Sequence, residues 1–173
     1  MIAKIAALII MAASFTLYLV FTQKKHSISE TFFNRKGVKR IMFILMMAGI
    51  SWPMYLFLYD YAPVTILQWT GYYFMIFGAF LIFVVGCFAD FKRSEPEMWL
   101  HVIPSYGGIF LCLSGLPMLY GWWFLTPLAL FLSLATASKW WWHVKNLTYW
   151  HEIQAFICVW CGLAVATILK LMF

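Results

Sequence analysis

The sequence predicts an all-α fold: a polytopic transmembrane bundle of about six helices that forms a single domain over residues 1–173. Hydrophobic residues make up 65% of the chain and charged residues only 10%, whereas soluble domains carry roughly 25% charged residues. The apolar residues form long continuous runs, unlike the alternating strands of a membrane β-barrel. The basic residues collect in short segments between these runs. Together these observations exclude a soluble domain, a disordered chain and a secreted scaffold.

Each predicted span is an apolar run near the length of about 20 residues that crosses a bilayer. The first run resembles a signal peptide, but it continues almost to the Lys24-Lys25 pair, which favours an uncleaved span. The second and fourth runs contain Pro53 and Pro104, which each remove a backbone donor and are expected to bend the helix. The fifth run is short and contains Pro127. The predicted spans are Ile5–Phe21, Ile41–Tyr59, Thr65–Ala89, Trp99–Leu116, Trp122–Ala137 and Trp150–Leu171.

The basic residues predict how this bundle is oriented. Ten of the twelve lysines and arginines lie in the loops that follow the first, third and fifth spans, and only Lys4 and Lys170 lie on the other side. The positive-inside rule makes the basic side cytoplasmic and places both termini outside. The net charge of +6 therefore reflects topology, and we expect no nucleic-acid partner. Many of the ten tryptophans fall at span ends, where they are expected to anchor the bundle at the membrane interfaces.

One stripe of polar and small residues runs along the predicted fourth span. His101, Ser105, Gly108 and Cys112 follow one another at spacings of four, three and four. At 100° per residue, these positions share one narrow face of a helix.

A second stripe runs along the predicted sixth span and contains His151, Gln154, Cys158 and Cys161. Both helices are predicted to run from inside to outside. If the two stripes face each other, the histidine at the start of each helix lies near the inner membrane boundary, with acidic residues beside it.

These residues are candidates because ionisable groups in membrane spans are costly and usually mark function. Two histidines with carboxylates suit zinc or another transition metal, and two histidines on separate helices suit a haem iron. A His–Glu pair also suits a proton relay or a lipid headgroup. Small-residue stripes equally serve close helix packing, with no ligand at all. The candidate polar site is His101, Ser105, Asp90, His151, Glu152 and Gln154, with His101 and His151 as the ligands of any metal.

Cys158 and Cys161 form a CxxC pair within a predicted membrane helix. Membrane thiol oxidoreductases of the vitamin K epoxide reductase type resemble the chain at this tetrapeptide. Those enzymes also use a second cysteine pair in a loop, and this sequence has none. Redox chemistry and simple burial as small apolar residues are both left open.

Three segments resemble a group of small six-helix bacterial membrane proteins of unknown function. The segments are Ser27–Phe33, the Gly86–Asp90 stretch followed by His101, and Trp150–Glu152 at the start of the last span. The resemblance implies the same six-helix fold and topology. It also marks Ser27, Ser29, Glu30, Asp90 and His101 as positions to examine.

The function predicted from these features is binding of a lipid or small amphiphile at the cytoplasmic-side polar site of an inner-membrane protein. Membrane lipids are the expected partners. One alternative is a non-catalytic subunit or assembly factor of a larger membrane complex, and a homo-oligomer is also open. Another alternative is a haem- or metal-binding membrane protein. No catalytic residue is assigned, so an enzymatic activity is neither predicted nor excluded.

Overall fold

The computed structural model describes residues 2–20, 37–59, 61–87, 95–121 and 147–172, with side chains described except at 95–102, 147–151 and 170–172. Within these ranges the chain is helical and contains no strand. All five helices are long and apolar enough to cross a membrane, which confirms the all-α, multi-pass prediction. The helices are α1 (Ile2–Val20), α2 (Val38–Leu58), α3 (Ile66–Cys87), α4 (Glu95–Tyr120) and α5 (Leu147–Met172).

Five of the predicted spans correspond to these helices, with α5 matching the predicted sixth span. The predicted fifth span, Trp122–Ala137, lies outside the described residues. The α4 helix extends beyond its predicted span at both ends and includes Pro117 as well as Pro104. Lys4, expected ahead of the first span, lies within α1 and is only 7% exposed. The long aliphatic stem of a lysine packs readily against apolar neighbours.

Local signals define several helix ends. The Thr65–Gln68 segment forms a capping box before α3. The backbone N–H of Gln68 donates to Thr65 Oγ1 at 3.2 Å, and the backbone N–H of Thr65 donates to the side-chain Oε1 of Gln68 at 3.2 Å. Gly37 precedes α2 with φ 66° and Gly121 follows α4 with φ 108°. These positive φ values suit glycine, which lacks a Cβ.

The five described helices pack in chain order as a ring. Each neighbours the next one along the chain, and α5 closes the ring by packing against both α4 and α1. Arg40, at the start of α2, donates to the carbonyl oxygen of Cys87 at the end of α3 at 3.3 Å. At the opposite end, the Tyr61 hydroxyl donates to the carbonyl oxygen of Leu119 in α4. We call the end of the ring that contains Arg40 and the end of α3 the basic-loop end.

The α3–α4 pair packs most extensively because glycines let the two backbones approach closely. A Cβ added to Gly78 would lie 2.8 Å from the carbonyl oxygen of Gly108, and one added to Gly115 would lie 2.9 Å from that of Gly71. Real Cβ atoms do not approach so closely. Small residues are the usual device for such packing between membrane helices.

The core lies at the centre of the ring and is contributed by all five helices. Two buried hydroxyls within it bond to their own helix: Ser51 donates to the Met47 carbonyl at 2.9 Å and Thr167 to the Leu163 carbonyl at 2.9 Å. The largest side chains that are fully buried include Phe43, Phe57, Met11, Met54 and Met75.

Candidate functional site

A cavity of about 70 Å³ lies inside the ring, and all five described helices contribute to its wall. Each contributes one face: apart from the adjacent pair Ala155 and Phe156, the lining residues on a helix are three, four or seven apart. The α1 and α2 helices supply Phe15, Tyr18, Met47, Ile50 and Met54. The α3, α4 and α5 helices supply Ile82, Val85, Ser105, Ile109, Glu152, Ala155, Phe156 and Val159.

The cavity lies towards the basic-loop end of the ring. Tyr18 is in the last turn of α1, Val85 is near the end of α3, and Glu152 is in the second turn of α5. The cavity is therefore on the side where the sequence predicts the polar site.

Three polar side chains line the cavity and are here called the Glu152 cluster: Tyr18, Ser105 and Glu152. Ser105 and Glu152 line the cavity from α4 and α5, and Tyr18 lines it from α1. The Glu152 carboxylate interacts electrostatically with the phenol of Tyr18 and with that of Tyr106, which follows Ser105 in the chain but does not line the cavity. A carboxylate and two hydroxyls can accept and donate several hydrogen bonds.

Aromatic rings form the wall of the cavity between α1 and α5. The rings of Phe15 and Phe156 are stacked, with centroids 3.8 Å apart and planes 7° from parallel. Tyr18 continues this wall towards α2, where its ring centroid is 5.8 Å from that of Phe43. The remaining lining is aliphatic or thioether, so the cavity is mainly apolar, with one polar side chain each from α1, α4 and α5. Small-molecule sites usually have this composition.

The polar stripe predicted on the fourth span divides between two environments. Ser105 reaches the cavity. Gly108 and Cys112 instead pack against Gly78 of α3, and the Cys112 Sγ lies 3.8 Å from the Met54 Sδ of α2. This part of the stripe serves close helix packing, one of the alternatives that the sequence left open.

The residues of the stripe predicted on the sixth span also lie in different environments. Gln154 is half-buried beside the cavity-lining face, and its Nε2 is buried without a hydrogen-bond partner among the described residues. Cys158 is buried, whereas Cys161 is exposed, and both are free thiols. The cavity-lining face of α5 carries Glu152 in place of these residues.

The role predicted for His101 and His151 in the polar site stays a prediction. His101 lies in α4 and His151 lies in α5, and both helices begin at the basic-loop end, but these two side chains are outside the described part. Asp90, Ser27, Ser29 and Glu30 also lie outside the described residues. Among the side chains that are described, no three from His, Cys, Asp and Glu come together to hold a metal ion. The haem and metal alternative is therefore neither supported nor tested by this geometry.

Tyr18 is a member of the cluster that the sequence reasoning missed. It lies near the end of the predicted first span, where a tyrosine is expected simply as an interfacial anchor. Its spacing of three from Phe15 was the available signal, because these two positions share the face that lines the cavity.

Comparisons of the chain with protein-family models, with curated proteins and with solved structures found no match. What the site does is therefore argued from its own geometry.

Proposed function

We propose that this chain is a six-span inner-membrane protein that binds a lipid or small amphiphile in the ring cavity. The apolar part of the ligand occupies the aromatic and aliphatic lining, and its polar part reaches the Glu152 cluster on the cytoplasmic side. The proposal rests chiefly on one observation: a mainly apolar cavity, lined by all five described helices, has one carboxylate and two hydroxyls in its wall.

The chemistry of the lining supports an amphiphile over a wholly polar ligand. Burying hydrocarbon contributes about 0.8 kcal/mol for each CH₂ group removed from water. A polar solute would leave its own groups unpaired against Met54, Ile82 and Phe156, and such unpaired burial is costly. A ligand with one polar end satisfies both parts of the cavity.

The packing of α4 and α5 supports a further crossing between them, the predicted fifth span. Ser105 and Ile109 of α4 line the cavity beside residues 152–159 of α5, and a Cβ on Gly162 would lie 2.6 Å from the Leu116 Cδ1. The two helices therefore run in the same direction. The chain between Tyr120 and Leu147 must return from one end of the ring to the other, as a crossing at Trp122–Ala137 would do. With six crossings and the basic loops inside, both termini are outside.

The proposal is tested by filling the cavity. Ala155 is 1% exposed and lines the cavity, so Ala155→Leu places three further carbon atoms in it. Ala13→Leu makes the same chemical change on an exposed position of α1. After gentle extraction, native mass spectrometry should detect a bound amphiphile on the wild-type protein and on Ala13→Leu, but not on Ala155→Leu. Equal retention by both variants, or no amphiphile on the wild type, would contradict the proposal.

A second candidate function is that of a subunit in a larger membrane complex, and one surface favours it. Trp69, Tyr73, Phe77 and Phe80 are three or four residues apart on α3 and are 45–57% exposed. Aromatic residues are common at protein interfaces, although bilayer lipid also covers such a face. Size measurement after mild extraction separates the two candidates: a stable heteromeric complex favours the subunit, and a lone chain argues against it.

A further inference from the structure

Two sulfur atoms meet in the packed core where α2, α3 and α4 adjoin. The Cys112 thiol of α4 donates to the thioether sulfur of Met54 in α2, and the two sulfurs are 3.8 Å apart. Both side chains are fully buried. Gly78 of α3 leaves the space that the thiol occupies, because a Cβ on Gly78 would lie 2.6 Å from the Cys112 Sγ. The close packing of three helices therefore holds this sulfur pair in place.

A third sulfur side chain lies one turn further along the α3–α4 contact. Met75 of α3 is fully buried, and a Cβ on Gly115 of α4 would lie 2.8 Å from the Met75 Cγ. Gly115 is three residues after Cys112, so the two positions share the face of α4 that meets α3. A methionine side chain has three rotatable bonds and adjusts its position readily. Met75 can therefore bring a second thioether to the pair.

The donor types and their separation select a kind of metal ion. Thiolate and thioether sulfurs prefer soft ions such as Cu(I). With metal–sulfur bonds of about 2.3 Å, sulfurs 3.8 Å apart subtend an angle of about 110° at the metal. This angle is far from the straight line of a two-ligand site and close to that of a site with three or four ligands. It leaves a position open for a further sulfur.

Charge balance favours an ion with a single positive charge. A thiol that coordinates a metal loses its proton, so the ion takes the place of the hydrogen between Cys112 and Met54 and one proton leaves for the solvent. Cu(I) and one thiolate are neutral together, and a fully buried apolar site tolerates only such a balance cheaply. Zinc would leave a net positive charge, and the described part of the chain offers no group of three His, Cys, Asp or Glu side chains to bind it.

We propose that Met54 and Cys112 form a binding site for Cu(I), with Met75 as a third sulfur ligand. The ring cavity gives the ion a path to this site, because Met54 lies in its wall. Met47 lines the same cavity seven residues earlier on the same face of α2, about 10 Å nearer the basic-loop end, and offers a thioether along the path. This site goes beyond the proposed binding of an amphiphile, and neither proposal depends on the other.

The test measures Cu(I) binding by the full-length protein in an uncharged maltoside detergent, by competition with the coloured Cu(I) chelator bicinchoninate. Cu(I) is supplied under nitrogen as its acetonitrile complex. The starting variant keeps Cys112 and replaces the other three cysteines, as Cys87→Ser, Cys158→Ala and Cys161→Ser.

Two further variants of this starting protein differ only in which sulfur is lost. Met54→Leu removes the proposed thioether with little change in volume. Met46→Leu makes the same change at another buried position of α2, which does not line the cavity, and is the matched control.

We expect the starting variant and Met46→Leu to bind one Cu(I) per chain with equal affinity. Met54→Leu should weaken binding about tenfold or more, because loss of even a hydrogen-bond partner of a metal ligand has an effect of that size. Adding Cys112→Ser should abolish binding, because no thiolate remains. X-ray absorption at the copper edge should show sulfur neighbours at about 2.3 Å.

Three results would overturn the inference: no Cu(I) bound by the starting variant, equal affinities of Met54→Leu and Met46→Leu, or unchanged binding after Cys112→Ser. X-ray absorption decides the matter even if Met54→Leu does not fold, because a copper shell of nitrogen or oxygen atoms in the starting variant excludes the sulfur site. None of these results bears on the amphiphile, which Ala155→Leu tests by a separate measurement.

Discussion

At the scale of single residues, two adjacent glycines of α4 show how closely the helices pack. A Cβ on Gly108 would lie 2.9 Å from the Ile82 Cγ1 and 3.0 Å from the Gly78 carbonyl oxygen. A Cβ on Gly107 would meet only the Leu81 Cδ1, at an ordinary contact distance of 3.6 Å. Gly108 therefore lies at the α3–α4 contact, whereas Gly107 has room for a methyl group.

This difference predicts opposite outcomes for the same substitution. Gly108→Ala should lower the free energy of unfolding by about 1–3 kcal/mol, because overpacking forces the helices apart. Gly107→Ala should be neutral or stabilising by up to about 1 kcal/mol, because alanine favours helix more than glycine does. Thermal unfolding of both variants in detergent measures the difference. Equal effects of the two substitutions on the free energy of unfolding would show that α3 and α4 do not make this contact.

Tyr61 carries a second prediction at this scale. Its hydroxyl donates to the Leu119 carbonyl oxygen and ties the segment before α3 to the end of α4. Burial raises the pKa of the Tyr61 phenol above its ordinary value, so the folded state favours the neutral form. The stabilisation of the folded protein by the neutral Tyr61 phenol is therefore fully present below the pKa that a tyrosine has in the unfolded chain, near 10. It is lost as the pH rises through the higher pKa of Tyr61 in the folded protein.

Tyr61→Phe should therefore lower the unfolding midpoint near pH 8, with a cost of about 1 kcal/mol for the lost hydrogen bond. The gap between wild type and variant should narrow above pH 10. Tyr59→Phe, at a position 88% exposed, is the matched control and should show neither effect. A gap that stays constant or widens at alkaline pH would contradict the role given to the hydroxyl.

At the scale of the elements, the helices themselves were predictable and their contacts were not. Each described helix is an apolar run of spanning length, which the bilayer requires because backbone groups must bond within the segment. The end of α4 was missed, because Pro117 and Gly121 together indicate a loop, yet the helix continues to Tyr120. The capping box at Thr65–Gln68 was a readable signal for the start of α3.

The candidate site was predictable in part, because polar residues within apolar spans can be recognised in the sequence whereas the faces that turn inward cannot. Ser105 and Glu152 are polar residues at the start of apolar spans, and both line the cavity. Which faces of α4 and α5 turn inward depends on packing against α1 and α3, which lie far away in the sequence. For this reason Tyr18 was missed, and Gly108 and Cys112 were grouped with Ser105 although they contact α3.

At the scale of the whole molecule, the ring geometry and the basic loops together give a topology that can be measured. Since α4 and α5 run in the same direction, fusions after Gly121 and after Phe173 should both lie outside. A phosphatase that is active only outside should be active at these two positions. A fluorescent protein that matures only inside should be bright after Gly37. A bright fusion at Phe173, combined with an external Gly121, would contradict the predicted fifth span, Trp122–Ala137.

An amphiphile in the ring cavity, with its polar end at the Glu152 cluster, would be visible in an experimental density map of the wild-type protein extracted with its native lipid. We expect elongated density that belongs to no protein atom, lying along the stacked rings of Phe15 and Phe156 with one end at Glu152 and Ser105. A cavity filled by the protein's own side chains, or one that holds only water, would contradict it.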